Sequence, residues 1–176
     1  MLSSPLLVAL PLLIGGGPTT PDETVGAAAF AGRYQPVQAK RQAVTVGKAI
    51  DKSLANRNLL VRWRAGDILR QNNQIASEIT ISTQAGKMLI MTPLRKAWWT
   101  DLNGKPRSII TPRGTKATLS RSYESPRLIE RFVSERGKRT HHISLSQDGQ
   151  LMLWQVTVES KELAQPIRYT LKYRRR

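Results

Sequence analysis

From Ser77 to the C-terminus the chain alternates apolar and polar residues in short runs separated by turn residues. A period of two puts apolar side chains on one face of each strand, so this stretch can bury them only as a half-buried antiparallel sheet. Ile79 and Ile81 open the series, and Gln84-Ala85-Gly86 turns it into Lys87–Met91, which Pro93 closes. Lys96–Thr100, with Trp98 and Trp99, is followed by Asn103-Gly104 and then Arg107–Thr111. Asn-Gly between two apolar runs is a strong hairpin signal, because both residues tolerate positive φ, and it predicts that these two runs pair.

After Pro112-Arg113-Gly114 come the longest runs: Thr115–Glu124, Arg127–Ser134, Arg139–Ser146, Gln150–Glu159 and Pro166–Tyr173. Ala117, Leu119 and Tyr123 share one parity, as do Ile167, Tyr169, Leu171 and Tyr173, while Lys and Ser or Arg and Thr fill the other. About eight short strands with tight turns and no helix between them predict an up-and-down meander that curls closed and hides its edges. The expected fold class is mainly β, with one barrel over 77–176.

Ahead of the barrel, Ala39, Ala43, Val46, Ile50 and Leu54 recur at steps of three and four, with Lys40, Lys48, Lys52 and Arg57 between them. That spacing predicts an N-terminal amphipathic helix within 32–66, ended near Asn56 or Asn58, before a second apolar stretch around Leu59-Leu60-Val61 and Trp63. The first helix has small Ala and Val residues on its apolar face, which suits packing across the barrel better than insertion into a membrane. At 176 residues the chain is one domain plus a leader, and with no cysteine it is held by its core rather than by disulfides.

The run from Leu6 to Ile14 is too short to span a bilayer and stops at Gly15-Gly16-Gly17-Pro18. It predicts a secretory leader and linker over 1–31, cut near Ala27-Ala28-Ala29 or after Ala29-Phe30-Ala31, although Met1 to Pro5 carries no basic residue. The expected location is periplasmic or secreted, with no membrane-spanning segment once the leader is removed. The formal net charge is +16, and every Lys and Arg follows Gly32, so a mature chain without Asp22 and Glu23 is more basic still. Such an excess attracts anionic surfaces at long range. The basic residues are scattered rather than gathered on one helix with aromatics, which argues against sequence-specific nucleic-acid binding.

Leu128-Ile129-Glu130-Arg131-Phe132, the turn in Leu145-Ser146-Gln147-Asp148-Gly149, and Tyr169 to Arg174 together resemble a set of uncharacterised exported bacterial proteins of lipocalin-like build. In these a strand pair around an LS-x-DG-x-L turn precedes a final strand ending in Y-x-R. Ala31-Gly32-Arg33-Tyr34 is similar to the G-x-W/Y opening of such barrels. The resemblance implies an extracytoplasmic barrel and no particular cargo.

No nucleotide loop or nucleophile elbow occurs, and no cofactor is expected. His141 and His142 are adjacent on a strand and point to opposite faces, so they cannot share a metal. No catalytic or metal-binding residue is assigned. Arg121 shares the parity of Leu119 and Tyr123, Glu130 that of Leu128 and Phe132, and His141 that of Ile143 and Leu145. Inward-facing, they form either a polar anchor for a small amphiphilic or anionic ligand held against Tyr123, Phe132 and Tyr169, or a buried pair that fixes strand register. The expected function is a non-enzymatic binding module. The alternative is a basic envelope-associated protein that binds anionic lipid, lipopolysaccharide or an acidic partner.

Overall fold

The structure, a computed structural model, describes residues 26–111 and 114–176. The predicted leader up to residue 25, and Pro112 and Arg113 of one predicted turn, lie outside the described residues. Ten strands form one antiparallel sheet: β1 (Gly32–Pro36), β2 (Ile79–Gln84), β3 (Lys87–Met91), β4 (Trp99–Asp101), β5 (Arg107–Ile110), β6 (Lys116–Glu124), β7 (Arg127–Ser134), β8 (Gly137–Leu145), β9 (Leu151–Glu159) and β10 (Ile167–Arg175). Two helices, α1 (Ala39–Leu54) and α2 (Leu59–Asn72), lie between β1 and β2.

The sheet order is β4-β3-β2-β1-β10-β9-β8-β7-β6-β5, so β1 joins the first strands to the last and the sheet curls into a nearly closed barrel. The expected number of strands falls short of ten: the Gly32-Arg33-Tyr34 segment itself is a strand, pairing with both β2 and β10. Parity then places the core. Tyr34, Ile79, Ile81, Met88, Leu128, Ile143, Met152, Trp154, Val156 and the odd residues 167–173 of β10 are buried inside.

The Asn103-Gly104 hairpin does not form. β4 and β5 are not paired, and the turn instead reaches across to β6, where Asn103 bridges Ser122 and the Gly104 amide donates to the Arg121 carbonyl at 2.8 Å. Gly104 has the positive φ of 76° that the sequence anticipates, but tertiary hydrogen bonds decide its partner. β5 therefore flares away over a small satellite core of Ile109, Ala117 and Leu119, against which Trp98 and Phe132 pack.

The single predicted helix is two. α1 buries Val46, Ile50 and Leu54, and Gln42 fastens it to β10 by donating to the Lys172 carbonyl at 3.0 Å and accepting from the Lys172 amide at 2.6 Å. This is the packing against the barrel that its Ala- and Val-rich face favours. α2 runs on past the expected end of the segment at 66 to Asn72. It is held by Ala65, Leu69 and the buried Asn73 beyond it.

Residues 26–31 make a short helical turn packed into the barrel end. Ala27 and Phe30 are buried, the Phe30 ring meets Tyr123 edge-on at 6.2 Å, and Tyr34 donates to the Phe30 carbonyl at 2.9 Å. Gly26 lies so close to the Tyr123 ring that any side chain there would collide with it. Arg175 donates to the Ala29 carbonyl and lies over the Tyr34 ring at 5.3 Å.

Candidate ligand cavity inside the barrel

Arg121, Glu130 and His141 meet because strand register puts them side by side: Arg121 faces Glu130 across β6 and β7, and Glu130 faces His141 across β7 and β8. All three are 2% exposed. Arg121 donates to the same Glu130 oxygen from Nε at 2.7 Å and from its terminal nitrogen at 2.6 Å. Its other terminal nitrogen donates to the Met88 carbonyl at 2.9 Å, the Trp98 carbonyl at 2.9 Å and the Thr100 hydroxyl at 2.8 Å. One guanidinium thus spans the gap that β4 and β5 leave open.

The electrostatics follow from that geometry. Burial alone would raise the Glu130 carboxyl, but the Arg121 charge and the His141 hydrogen bond outweigh it and hold the group at about 2. Burial drives the His141 imidazole down to about 4, despite the pull of Glu130. At neutral pH the imidazole is therefore neutral, and its Nδ1–H donates to Glu130 Oε1 at 2.9 Å.

Both folded-state values lie below those of the unfolded chain, so the signs agree. An unfolded His takes a proton near pH 6.5, whereas folded His141 refuses one until about pH 4. Glu130 repeats this between about 4.5 and 2. The contribution of the pair to stability is complete above pH 6.5 and is lost as pH falls. Chemical denaturation is expected to give an unfolding free energy about 2–3 kcal/mol lower at pH 4.5 than at pH 7. His141→Gln keeps a donor to Glu130 without titrating and is expected to flatten that slope. An unchanged slope would show that the proton goes elsewhere.

Above this group lies a cavity bounded by Ile79, Ile90, Trp98, Phe132, Val156 and Leu171, with Trp154, Tyr169 and Tyr173 on one side. Phe132, His141, Trp154 and Tyr173 form an aromatic row across four strands, with ring centroids 5.9, 5.1 and 6.3 Å apart. The space open to the centre of a water is about 70 Å³. That seats a few waters and is smaller than the ~300–1,000 Å³ usual for ligand pockets.

At the mouth, beneath the end of α2, Arg139 donates to the Asn73 side-chain oxygen at 2.9 Å and to the Asn72 carbonyl at 3.2 Å. Arg95 reaches the same Asn72 carbonyl at 3.5 Å and lies 6.0 Å from the Phe132 ring centroid. Tyr169 donates to Asn73 at 2.8 Å. Burial and the neighbouring Arg95 charge lower Arg139 to about 10. Thr92 lines the same cavity, with its buried hydroxyl unpartnered.

Of the six residues singled out from sequence, Arg121, Glu130, Phe132, His141 and Tyr169 line this cavity. Tyr123 does not. It sits against Phe30 and Gly26. Sequence reasoning missed Arg139, which shares the parity of His141 and was open to the same argument, and Arg95, whose loop carries no periodicity to place it. Among the described residues no three His, Asp or Glu side chains gather to hold a metal ion, and no helix is long and apolar enough to cross a membrane.

A ten-stranded, nearly closed antiparallel barrel with a helix-turn-helix between its first two strands is a fatty-acid-binding-like fold. This refines the lipocalin-like expectation, which has fewer strands and no helix pair. The chain is similar to lipid binding protein 8 of Caenorhabditis elegans, at 12% identity and a TM-score of 0.51 over 84% of this chain and 96% of that one. It is likewise similar to a mutant of the fluorescent protein UnaG, at 14% identity and 0.55 over 85% and 98%. The Schistosoma mansoni fatty acid binding protein in complex with arachidonic acid matches at 14% and 0.50 over 85% and 97%. No protein-family model matches the sequence, and no curated protein matches it.

Proposed function

We propose that this chain is an exported, non-enzymatic carrier of a small anionic amphiphile, bound in the barrel cavity with its acidic head against Arg139 and Arg95. The observation that carries the reading is the charge of the cavity wall. Four cations, Arg95, Lys96, Arg121 and Arg139, face one carboxylate, Glu130, and that carboxylate is committed to Arg121 and His141. Two guanidiniums converging on one carbonyl with no acid between them repel each other, and an anionic head relieves that repulsion.

The apolar wall supplies the other half of the chemistry, with Ile79, Ile90, Trp98, Phe132 and Val156 offering contact to a short hydrocarbon tail. At about 70 Å³ the cavity holds only part of such a tail, so the side chains of its wall must move apart to admit it. Carriage by similar folds supports the reading, as does the apolar leader for export. A cut of that leader ahead of Gly26 keeps Ala27 and Phe30 in the core.

Octanoate is expected to displace a fluorescent anionic amphiphile such as anilinonaphthalene sulfonate from the native chain. Arg139→Gln is expected to weaken octanoate by roughly 10- to 100-fold, the worth of one charge-assisted hydrogen bond of about 1.5–3 kcal/mol. Equal affinity in the two proteins, or no displacement from either, would sink the assignment.

A further inference from the structure

α2 packs on the barrel through its C-terminal part, and its first turns carry an exposed apolar face. Leu69 and Asn73 tie its C-terminal part to the barrel, while Leu59, Leu60 and Trp63 in its first turns are 81%, 73% and 72% exposed. Side chains this large and apolar seldom stand together in water without a partner. At about 100° per residue, the three fall within one arc of roughly 100° on the helix, and Arg62 and Arg64 project from either side of that arc. The nearby acids are already engaged: Arg70 pairs with Asp51 at 2.5 Å and with Asp67 at 3.8 Å. Arg62 and Arg64 make no ion pair among the described residues.

We propose that the first turns of α2 dock on an anionic lipid bilayer, with Leu59, Leu60 and Trp63 inserted below the headgroups and Arg62 and Arg64 paired with lipid phosphates. Charge complementarity selects this occupant. An apolar stripe flanked by two unpaired cations, on a chain of net charge +16, matches a surface that is hydrocarbon beneath and negative above. Tryptophan suits that boundary, having an apolar body and a polar N–H. A second copy of the chain fits less well. Three side chains on a single convex helix end offer a few hundred Å² at most, against about 800 Å² per partner in a stable dimer.

This surface is separate from the cavity and does not depend on what the cavity holds. It places the expected attraction to anionic surfaces at one helix end rather than in the net charge as a whole. It also bears on carriage: Asn72 and Asn73, at the far end of the same helix, touch Arg139 at the cavity mouth.

Flotation of the full chain with vesicles tests the proposal. Binding to phosphatidylcholine mixed with phosphatidylglycerol is expected to exceed binding to phosphatidylcholine alone by about tenfold or more. Leu60→Ser with Trp63→Ser is expected to lower it by about tenfold or more, since both side chains stand in solvent and their loss leaves the fold intact. Arg62→Gln and Arg64→Gln are each expected to cost about fivefold, and Arg168→Gln on the barrel wall less than about twofold. Unchanged vesicle binding by the Leu60→Ser, Trp63→Ser protein would overturn the proposal in favour of net charge alone. A native chain that ignores vesicles but sediments as a dimer, and becomes monomeric with Trp63→Ser, would overturn it in favour of a second copy.

Discussion

Arg121→Met is expected to lower the free energy of unfolding by about 3–5 kcal/mol at neutral pH, because it strips a fully buried carboxylate of its countercharge. The loss has two parts. Glu130 keeps only the neutral His141 as partner, and the Met88 and Trp98 carbonyls lose the guanidinium that pins β6 to β3 and to the residues leading into β4. Adding Glu130→Gln to Arg121→Met is expected to recover a substantial share, since an uncharged amide is far easier to bury alone. The Gly104 amide, bonded to the Arg121 carbonyl, is expected to exchange faster in Arg121→Met as the gap between β4 and β6 loosens. Chemical denaturation and amide exchange check both statements. A loss below about 1 kcal/mol would mean that the barrel closes without this side chain.

The second large effect lies two residues further along β6, where Phe30 packs against Tyr123. Phe30→Ala is expected to cost about 3–5 kcal/mol, the range for emptying a buried aromatic site. Phe30 is buried against Tyr123, and its carbonyl accepts from Tyr34, so the ring and the backbone around it are both engaged. A chain beginning at Gly32 loses Ala27 as well and is expected to be less stable than Phe30→Ala. If the thermal midpoint of Phe30→Ala equals that of the native chain, the segment 26–31 is not part of the folded barrel.

These two sites mark where sequence reasoning was sufficient and where it was not. The inward row of Arg121, Glu130 and His141 was legible because it needs only the period of a strand and the register of consecutive hairpins. Arg139 was legible by the same rule, yet it begins its run beside the Gly137-Lys138 turn, where a basic residue reads as solvated. The open gap was not legible. Asn103-Gly104 carries every local mark of a hairpin, and only the hydrogen bonds to β6 redirect it. Residues 26–31 read as the tail of a leader because small alanines suit a peptidase as well as they suit a tight contact with Tyr123. Leu59, Leu60 and Trp63 read as a second apolar stretch, since a run of apolar residues does not report what covers it.

The central claim is that the cavity of this barrel binds an anionic amphiphile through Arg139 and Arg95. Native mass spectrometry of the chain purified without detergent, after incubation with octanoate, tests it most directly. A single octanoate adduct on the native chain that disappears in Arg139→Gln and survives in Leu60→Ser with Trp63→Ser is the expected result. A bare native chain, or an adduct indifferent to Arg139→Gln, would contradict it and leave the buried polar group as a device for holding strands in register.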